Sequence, residues 1–213
     1  ELVGNQRIIV VSDQAGRSNI MARFRQIGLE VDPKDPAVAR LLEIVKERES
    51  EGYAYDGADA SFELLARHEL HTVPDYFALH SFRVLAERRV NARGQLIALS
   101  EATVKLDVGG RRAMEVGEGN GPVNALDAAL RKALLPVYPE LEDMRLVDFK
   151  VRILDAAGGT AATTRVMIES ADSTRRWSTI GVSPNIVDAS YNALFDAITY
   201  KLFRDGAQPA RNA

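Results

Sequence analysis

The chain has 213 residues, with 27 basic and 30 acidic side chains, and 46% of its residues are hydrophobic. This length allows one or two domains with a sizeable core, and the balanced charge gives no indication of nucleic acid as a partner. The absence of Cys excludes a disulfide framework and a cysteine-based zinc site, and it agrees with the cytoplasmic location that we expect.

The first third of the chain is predicted to be mostly helical. Residues 7–11 form a short apolar run that predicts a strand, and a helix follows that ends at Gly28. Asp35 and Pro36 predict the start of a second helix, because Asp caps a first turn and Pro is compatible with its geometry. A third helix is predicted over residues 58–70.

The sequence after these helices alternates between strands and helices. Apolar residues occupy most even positions of 96–108 and polar residues most odd ones, which is typical of a strand with one buried face. Gly109 and Gly110 predict a turn into a further strand that ends near Val116. A helix with one apolar face is then predicted to begin just after Gly121.

A sequence motif occurs twice, and its spacing predicts two copies of one structural unit. Residues 124–130 and residues 192–198, 68 positions later, both begin with Asn-Ala-Leu. The second copy is predicted to have strands over residues 145–154, 160–170 and 174–182 and a helix over 186–203. We therefore predict an α+β fold of two β3-α repeats in β/α/β layers, preceded by a small, mostly helical linker region. The loop before the second repeat's helix is expected to be four residues longer than its counterpart.

These elements predict a division of the chain into segments. The segments are a strand-plus-helix linker subdomain over 1–30, a helical linker subdomain over 31–74, two repeats over 75–140 and 141–206 that together form the domain 75–206, and a tail over 207–213. Because the sequence opens at Glu1 instead of Met, we expect it to be a piece of a longer protein.

Two loops at predicted helix starts are candidate binding sites. Gly119-Asn120-Gly121-Pro122 precedes the helix of the first repeat, and Ser183-Pro184-Asn185-Ile186 precedes that of the second. A helix N-terminus offers free N–H groups and a partial positive charge that suit a carboxylate. Glycine permits a positive φ and close approach of a ligand, and Gly121 would provide both if its backbone has that conformation. The alternative is a tight turn with an ordinary helix cap, and both interpretations stay open.

The other polar residues give no indication of catalysis. His68 and His71 are three residues apart, but without a third ligand nearby we expect no metal site. Ser12 and Ser18 have no His-Asp arrangement within reach, and the chain has no P-loop or dinucleotide-binding motif. It has no signal peptide and no apolar run as long as a membrane span, so we expect no membrane partner.

Several segments together resemble one enzyme superfamily. The segment Gly119-Asn120-Gly121-Pro122-Val123-Asn124-Ala125 is similar to the signature of the C-terminal regulatory, or dimerisation, domain of the 2-isopropylmalate, homocitrate and citramalate synthases. Residues 1–7 and 11–20 resemble the linker of the long-form (R)-citramalate synthases. Further segments of the same pattern are 51–53, 59–65, 146–152 and 183–190, so the resemblance covers nearly the whole chain.

The resemblance implies a homodimer of regulatory function whose parent protein is an acyltransferase. In that superfamily a catalytic (β/α)8 barrel with a divalent metal lies upstream and condenses acetyl-CoA with a 2-oxo acid, which is pyruvate in citramalate synthase. We therefore expect no cofactor and no catalytic residue in this chain. Isopropylmalate synthases have a tyrosine in the linker where this chain has Asn19. This departure favours citramalate synthase and makes Asn19 a candidate contact to the partner's active site.

The resemblance also implies an end-product amino acid as effector. Isoleucine, as feedback inhibitor of its own biosynthesis, is expected for a citramalate synthase. Leucine in an isopropylmalate synthase and a purely structural dimerisation domain are the alternatives. Asp148 is expected to bind the ammonium group. The expected effector-binding residues are Gly119, Asn120, Gly121, Pro122, Val123, Leu146, Val147, Asp148, Ser183, Pro184, Asn185 and Ile186.

Overall fold

A computed structural model describes residues 17–154 and 162–210. Three helices come first, α1 (Arg17–Gln26), α2 (Pro36–Glu51) and α3 (Asp59–Glu69), which we call the linker helices. They agree with the three predicted helices. The strand predicted over residues 7–11 lies outside the described residues.

Two units of three strands and one helix follow, as predicted. The first repeat consists of β1 (Phe77–Val90), β2 (Leu96–Val108), β3 (Arg111–Gly119) and α4 (Pro122–Leu134). After a short helical turn, Pro139–Leu141, the second repeat consists of β4 (Arg145–Ile153), β5 (Thr164–Ala171), β6 (Arg176–Ser183) and α5 (Ile186–Arg204). In each repeat the strands form an antiparallel sheet with the middle strand at its centre.

Local sequence accounts for the ends of the second linker helix. The Asp35 side chain accepts a hydrogen bond of 2.8 Å from the Ala37 N–H, which confirms the predicted N-cap. Gly52 ends the helix at a φ of 113°, a left-handed conformation that favours glycine. Its buried face consists of Ala37, Val38, Leu41 and Val45.

The repeats share one hydrophobic core. Ala102, Val104 and Leu106, on alternate positions of β2, are buried beside α4, which confirms the predicted alternation for this part of the strand. The preceding residues 96–98 are not buried, because the β1–β2 hairpin extends beyond β3. The core contains buried residues from both sheets and from both α4 and α5, as expected for helices that pack on two sheets.

The linker helices dock on the second repeat. The buried Glu63 of α3 accepts hydrogen bonds from Tyr200 at 3.1 Å and from Arg204 at 3.4 Å, both on α5. Arg165 of β5 donates a hydrogen bond of 2.5 Å to the Gly52 carbonyl at the end of α2. These contacts join α3 to α5 and the end of α2 to the central strand of the second sheet, and Ser61 of α3 contacts the edge strand β6 at Ile180.

The structural repeat is 64 residues long, so the predicted spacing of 68 is wrong. Helix α4 begins at Pro122 and α5 at Ile186, and the loops that precede them have equal lengths. The motif spacing predicted that the second loop is four residues longer than the first, and this prediction is wrong. The two alignments of α4 with α5 differ by four residues, which is about one helical turn. Both alignments therefore bring the buried face of one helix onto the buried face of the other.

Among the described residues, no helix is both long enough and apolar enough to cross a membrane.

Candidate functional site

The first predicted loop connects β3 to α4, and Gly121 lies in it with a φ of −168° and a ψ of 169°. This backbone is extended, so the condition of a positive φ at Gly121 is not met. A Cβ on Gly121 would meet no atom within 4 Å. The residue is the N-cap of α4 and provides no capping side chain.

Close approach occurs at Gly119 instead. A Cβ on Gly119 would overlap the Ala125 backbone and the Asn124 side chain. The Asn124 Oδ1 atom also accepts a hydrogen bond of 3.2 Å from the Asn120 N–H. The first glycine of this loop is therefore required for packing of β3 on α4, and the loop beyond it, with Pro122 at its end, is solvent-accessible.

The second predicted loop satisfies part of its own hydrogen bonding. The Asn185 side chain accepts a bond of 2.8 Å from the Val187 N–H, so it caps α5. The Asn185 N–H in turn donates to the Ser183 hydroxyl at 3.0 Å. Pro184 is exposed, and Ile186 is 44% exposed. The two loops therefore differ, because the α4 N-terminus lacks the side-chain cap that α5 has.

The predicted site residues on β4 surround an irregularity in strand pairing. The register of β4 against β5 shifts between Leu146 and Asp148, which leaves Val147 in a bulge. Asp148 pairs with Lys150 at 2.6 Å, and this hydrogen bond lowers the pKa of the Asp148 carboxyl group. Asp148 therefore already has a cationic partner. Among the described residues, no hydrogen bond or ion pair joins β4 to the two loops.

The histidines and Asn19 lie in separate places. Asn19 is a partly buried residue of α1, and His80 of β1 contacts Asp107 and Arg112 on the neighbouring strands. His68 is exposed on α3 and His71 follows that helix with a φ of 52°. Within the described ranges, no three His, Cys, Asp or Glu side chains group closely enough to hold a metal ion.

A cavity that the sequence did not predict lies where the linker helices meet the second repeat. Its volume is about 590 Å³, and none of the predicted effector-binding residues lines it. Its lining residues are Arg48, Tyr53, Ser61, Leu64, Leu65, His68, Glu69, Ile180, Tyr191, Asn192, Phe195 and Asp196. They come from α2, α3, β6 and α5 and the segment after α2.

A hydrogen-bonded chain forms the polar wall of this cavity. The Ser61 hydroxyl of α3 donates to the Asp196 carboxylate of α5 at 2.6 Å. The same hydroxyl accepts a bond of 3.0 Å from the Ile180 N–H of β6. Removal from water raises the pKa of Asp196 to about 6, although Ser61 and, through space, Arg48 oppose this shift.

Arg48 provides a positive charge at the same cavity. Its guanidinium group lies 5.2 Å from the centre of the Tyr53 ring, in a cation–π contact. Arg48 and Asp196 interact through space, and among the described residues neither forms an ion pair. The Tyr55 hydroxyl also lies close to the Arg48 guanidinium group. On α3 the cavity is lined by Ser61, Leu64, Leu65, His68 and Glu69, and this mixture of polar and apolar residues gave no sequence signal for the site.

Comparison with known proteins gives one family and several relatives. Residues 56–202 match the family described as the LeuA allosteric (dimerisation) domain. An (R)-citramalate synthase of Geobacter sulfurreducens is 50% identical over 96% of this chain and 38% of its own length. An (R)-citramalate synthase of Aquifex aeolicus is 48% identical over 96% of this chain and 38% of its own length. One of Streptomyces coelicolor is 48% identical over 99% of this chain and 39% of its own length. The chain thus spans about two fifths of these relatives.

Proposed function

Because the chain belongs to the family of the LeuA allosteric (dimerisation) domain, we propose that it is the regulatory and dimerisation region of a citramalate synthase. The parent protein would condense acetyl-CoA with pyruvate in isoleucine biosynthesis. The observation that carries this proposal is the match of the family over residues 56–202, together with 50% identity to a relative named (R)-citramalate synthase. The alternatives are the same region of an isopropylmalate synthase and a dimerisation domain without an effector.

We propose isoleucine as the effector of this region, with leucine as the alternative. The uncapped N-terminus of α4 supports a carboxylate site there, because no side chain of Gly121 competes for the first-turn N–H groups. Val123 on α4, with Leu146, Val147 and Ile186, would form the apolar part of the site. Asp148 would have to give up Lys150 in order to bind the ammonium group, which makes it the weakest member of the proposed set.

We propose that the chain forms a homodimer. Large apolar side chains are exposed on the first sheet, including Leu85 at 59%, Met114 at 61% and Val90 at 65%. Val90 pairs across the hairpin with Leu96, which is 55% exposed, and a partner chain could cover such exposed apolar side chains. Light scattering at tens of micromolar should give twice the 23.4 kDa monomer mass. The monomer mass alone would contradict this proposal.

The catalytic step and its divalent metal would belong to a part of the parent protein outside this sequence. The chain would act on that part through binding and assembly, as a coupling between distant sites. Asn19 of α1 would contact the partner's active site. Its replacement by Ala in the parent enzyme should lower turnover and leave the response to isoleucine intact.

Thermal unfolding tests the effector proposal. Isoleucine at about 100 times its dissociation constant should stabilise the native state by about 2.7 kcal/mol, which corresponds to a rise of several degrees in the melting temperature. Lysine and aspartate, added at the same concentration, should give no rise. If no branched-chain amino acid shifts the melting temperature at millimolar concentration, the chain is a structural dimerisation domain.

A further inference from the structure

We propose that the cavity between the linker helices and the second repeat is a further amino-acid site, separate from the two loops, for a zwitterion with an aliphatic side chain. The proposed function supplies the choice of isoleucine as the first ligand to test. The chemistry of the cavity itself supplies the ligand class. The polar groups at its wall, its apolar surface and its position in the fold all agree with such a ligand.

The charges at the cavity match the two ends of an amino acid. One carboxylate oxygen of Asp196 accepts the Ser61 hydroxyl, and the carboxylate has no cationic partner among the described residues. Arg48 lines the same space, and its guanidinium group has five N–H donors, so it can bind a carboxylate in addition to its contact with Tyr55. An ammonium group at Asp196 and a carboxylate at Arg48 would therefore satisfy both partners through charge-assisted hydrogen bonds.

The apolar part of the wall suits an aliphatic side chain. Leu64, Leu65 and Ile180 are buried, and Phe195 of α5 adds an aromatic surface. The volume of about 590 Å³ lies within the range of roughly 300–1,000 Å³ that is typical of small-ligand sites. His68 and Asn192 are exposed at the cavity and mark its opening to solvent.

Other titratable groups at the cavity do not neutralise its charges. Glu69 of α3, a further carboxylate of the lining, pairs with Arg40 on α2 at 3.7 Å. Burial raises the pKa of Tyr53 and of Tyr191, so both phenols stay neutral. With Glu69 paired to Arg40, the Arg48 guanidinium on α2 and the Asp196 carboxylate on α5 are the two charges of the lining that have no ion-pair partner among the described residues.

A ligand in this position would join two parts of the chain. Arg48 belongs to the linker helices, whereas Asp196 belongs to the second repeat. A zwitterion that binds both would stabilise the docked arrangement relative to any separated one. The site would thereby link effector binding to the position of the linker helices.

Calorimetric titration of the whole chain with L-isoleucine tests the proposal. The Asp196→Asn variant should weaken binding at one class of site at least tenfold, since it removes the carboxylate but can still accept the Ser61 hydroxyl. The matched control is Glu47→Gln, which removes one exposed carboxylate from α2 and should change affinity less than twofold. 3-Methylpentanoate lacks the ammonium group, so any affinity it has for the cavity should be insensitive to Asp196→Asn.

Two further variants separate this site from the loops. Asn192→Trp should block the cavity from its opening without removing a core contact, and Ile186→Ala should weaken only the loop site. If wild type binds isoleucine and neither Asp196→Asn nor Asn192→Trp affects it, the cavity is not a site and the effector function stands. If wild type binds no branched-chain amino acid, both the effector function and this site are wrong.

Discussion

The two repeats have the same contact between strand and helix, but their edge strands have different surroundings. A Cβ on Gly117 would overlap the backbone of α4 at Ala125 and Ala129, and a Cβ on Gly181 would overlap α5 at the equivalent alanines, 64 residues later. Yet Val116 on β3 is 40% exposed, whereas its counterpart Ile180 on β6 is 1% exposed. The difference arises because α3 covers β6.

The polar groups at the two edges differ in the same way. In the first repeat, Lys132 of α4 extends to the Val116 carbonyl at 3.4 Å and pairs with Glu115 at 3.3 Å. An exposed lysine is a common protection for a free sheet edge. In the second repeat the position equivalent to Lys132 is Asp196. It accepts a hydrogen bond from the Ser61 hydroxyl of α3, and that hydroxyl accepts one from the Ile180 N–H. Docking of the linker helices, and not the repeat itself, therefore creates the cavity.

Substitution of the shared glycines should have the largest effect. Gly117→Val or Gly181→Val should destabilise the protein by at least about 3 kcal/mol, because each side chain would overlap helix backbone. Gly121→Val is the control, since its backbone is extended and its Cβ would have open space; we expect a loss below about 1 kcal/mol. Chemical denaturation measures all three, and equal losses would refute the close contact.

Ser61→Ala should remove the contact by which α3 covers the edge strand β6 of the second sheet. It leaves the Ile180 N–H buried without its acceptor and removes a donor to Asp196, so we expect a loss of about 1–3 kcal/mol in the free energy of unfolding. Ser50→Ala, on the exposed end of α2, is the control and should have little effect. A loss for Ser61→Ala no larger than for the control would show that α3 docks without this bond.

Asp196→Asn should stabilise the protein near pH 7. The folded pKa of about 6 lies above the value of 3.8 for an exposed aspartate, so between pH 4 and pH 6 the native state binds more protons than the unfolded state. The free energy of unfolding of wild type therefore falls as pH rises through this window. Because the side chain is partly exposed, we expect a gain of about 1–2 kcal/mol at pH 7, and it should disappear below pH 4. Denaturation at several pH values measures it, and a loss of stability at pH 7 would contradict the account.

The smallest effect is expected at Lys132. Its contacts with Glu115 and the Val116 carbonyl are exposed, so Lys132→Ala should change the free energy of unfolding by less than about 0.5 kcal/mol. Association at high concentration should increase, because the free edge of β3 loses its lysine. Sedimentation velocity would detect this change, and an unaltered distribution would show that the edge needs no such protection.

Sequence patterns predicted the elements better than the site. The alternation of β2, the Asp35 cap and the repeated order of strands and helix are local signals, and the structure agrees with them. The spacing of 68 residues was wrong because the Asn-Ala-Leu motif recurs one helical turn from the equivalent position. Helical periodicity alone does not separate alignments that differ by one turn.

The cavity could not be predicted because its parts are far apart in the sequence. Ser61 and Asp196 are separated by 135 residues, and their contact depends on how α3 docks on α5. Likewise, the φ of Gly121 follows from its role as helix N-cap, whereas Gly119 is the position at which the chain passes closest to α4. Glycine in a loop indicates conformational freedom or close packing, and the sequence did not distinguish the two.

Amide hydrogen exchange at Ile180 and Val116 tests the central claim most directly, namely that docking of the linker helices on the second repeat creates a ligand site. The Ile180 N–H donates to Ser61 of α3, and the Val116 carbonyl accepts from Lys132 of α4. Because the N–H and C=O of one strand residue point to the same side, both N–H groups point away from their sheets at the outer edge. We predict strong protection at Ile180, a further increase on addition of isoleucine, and rapid exchange at Val116 in both conditions. Equal protection at the two amides, or no response of Ile180 to isoleucine, would contradict the account.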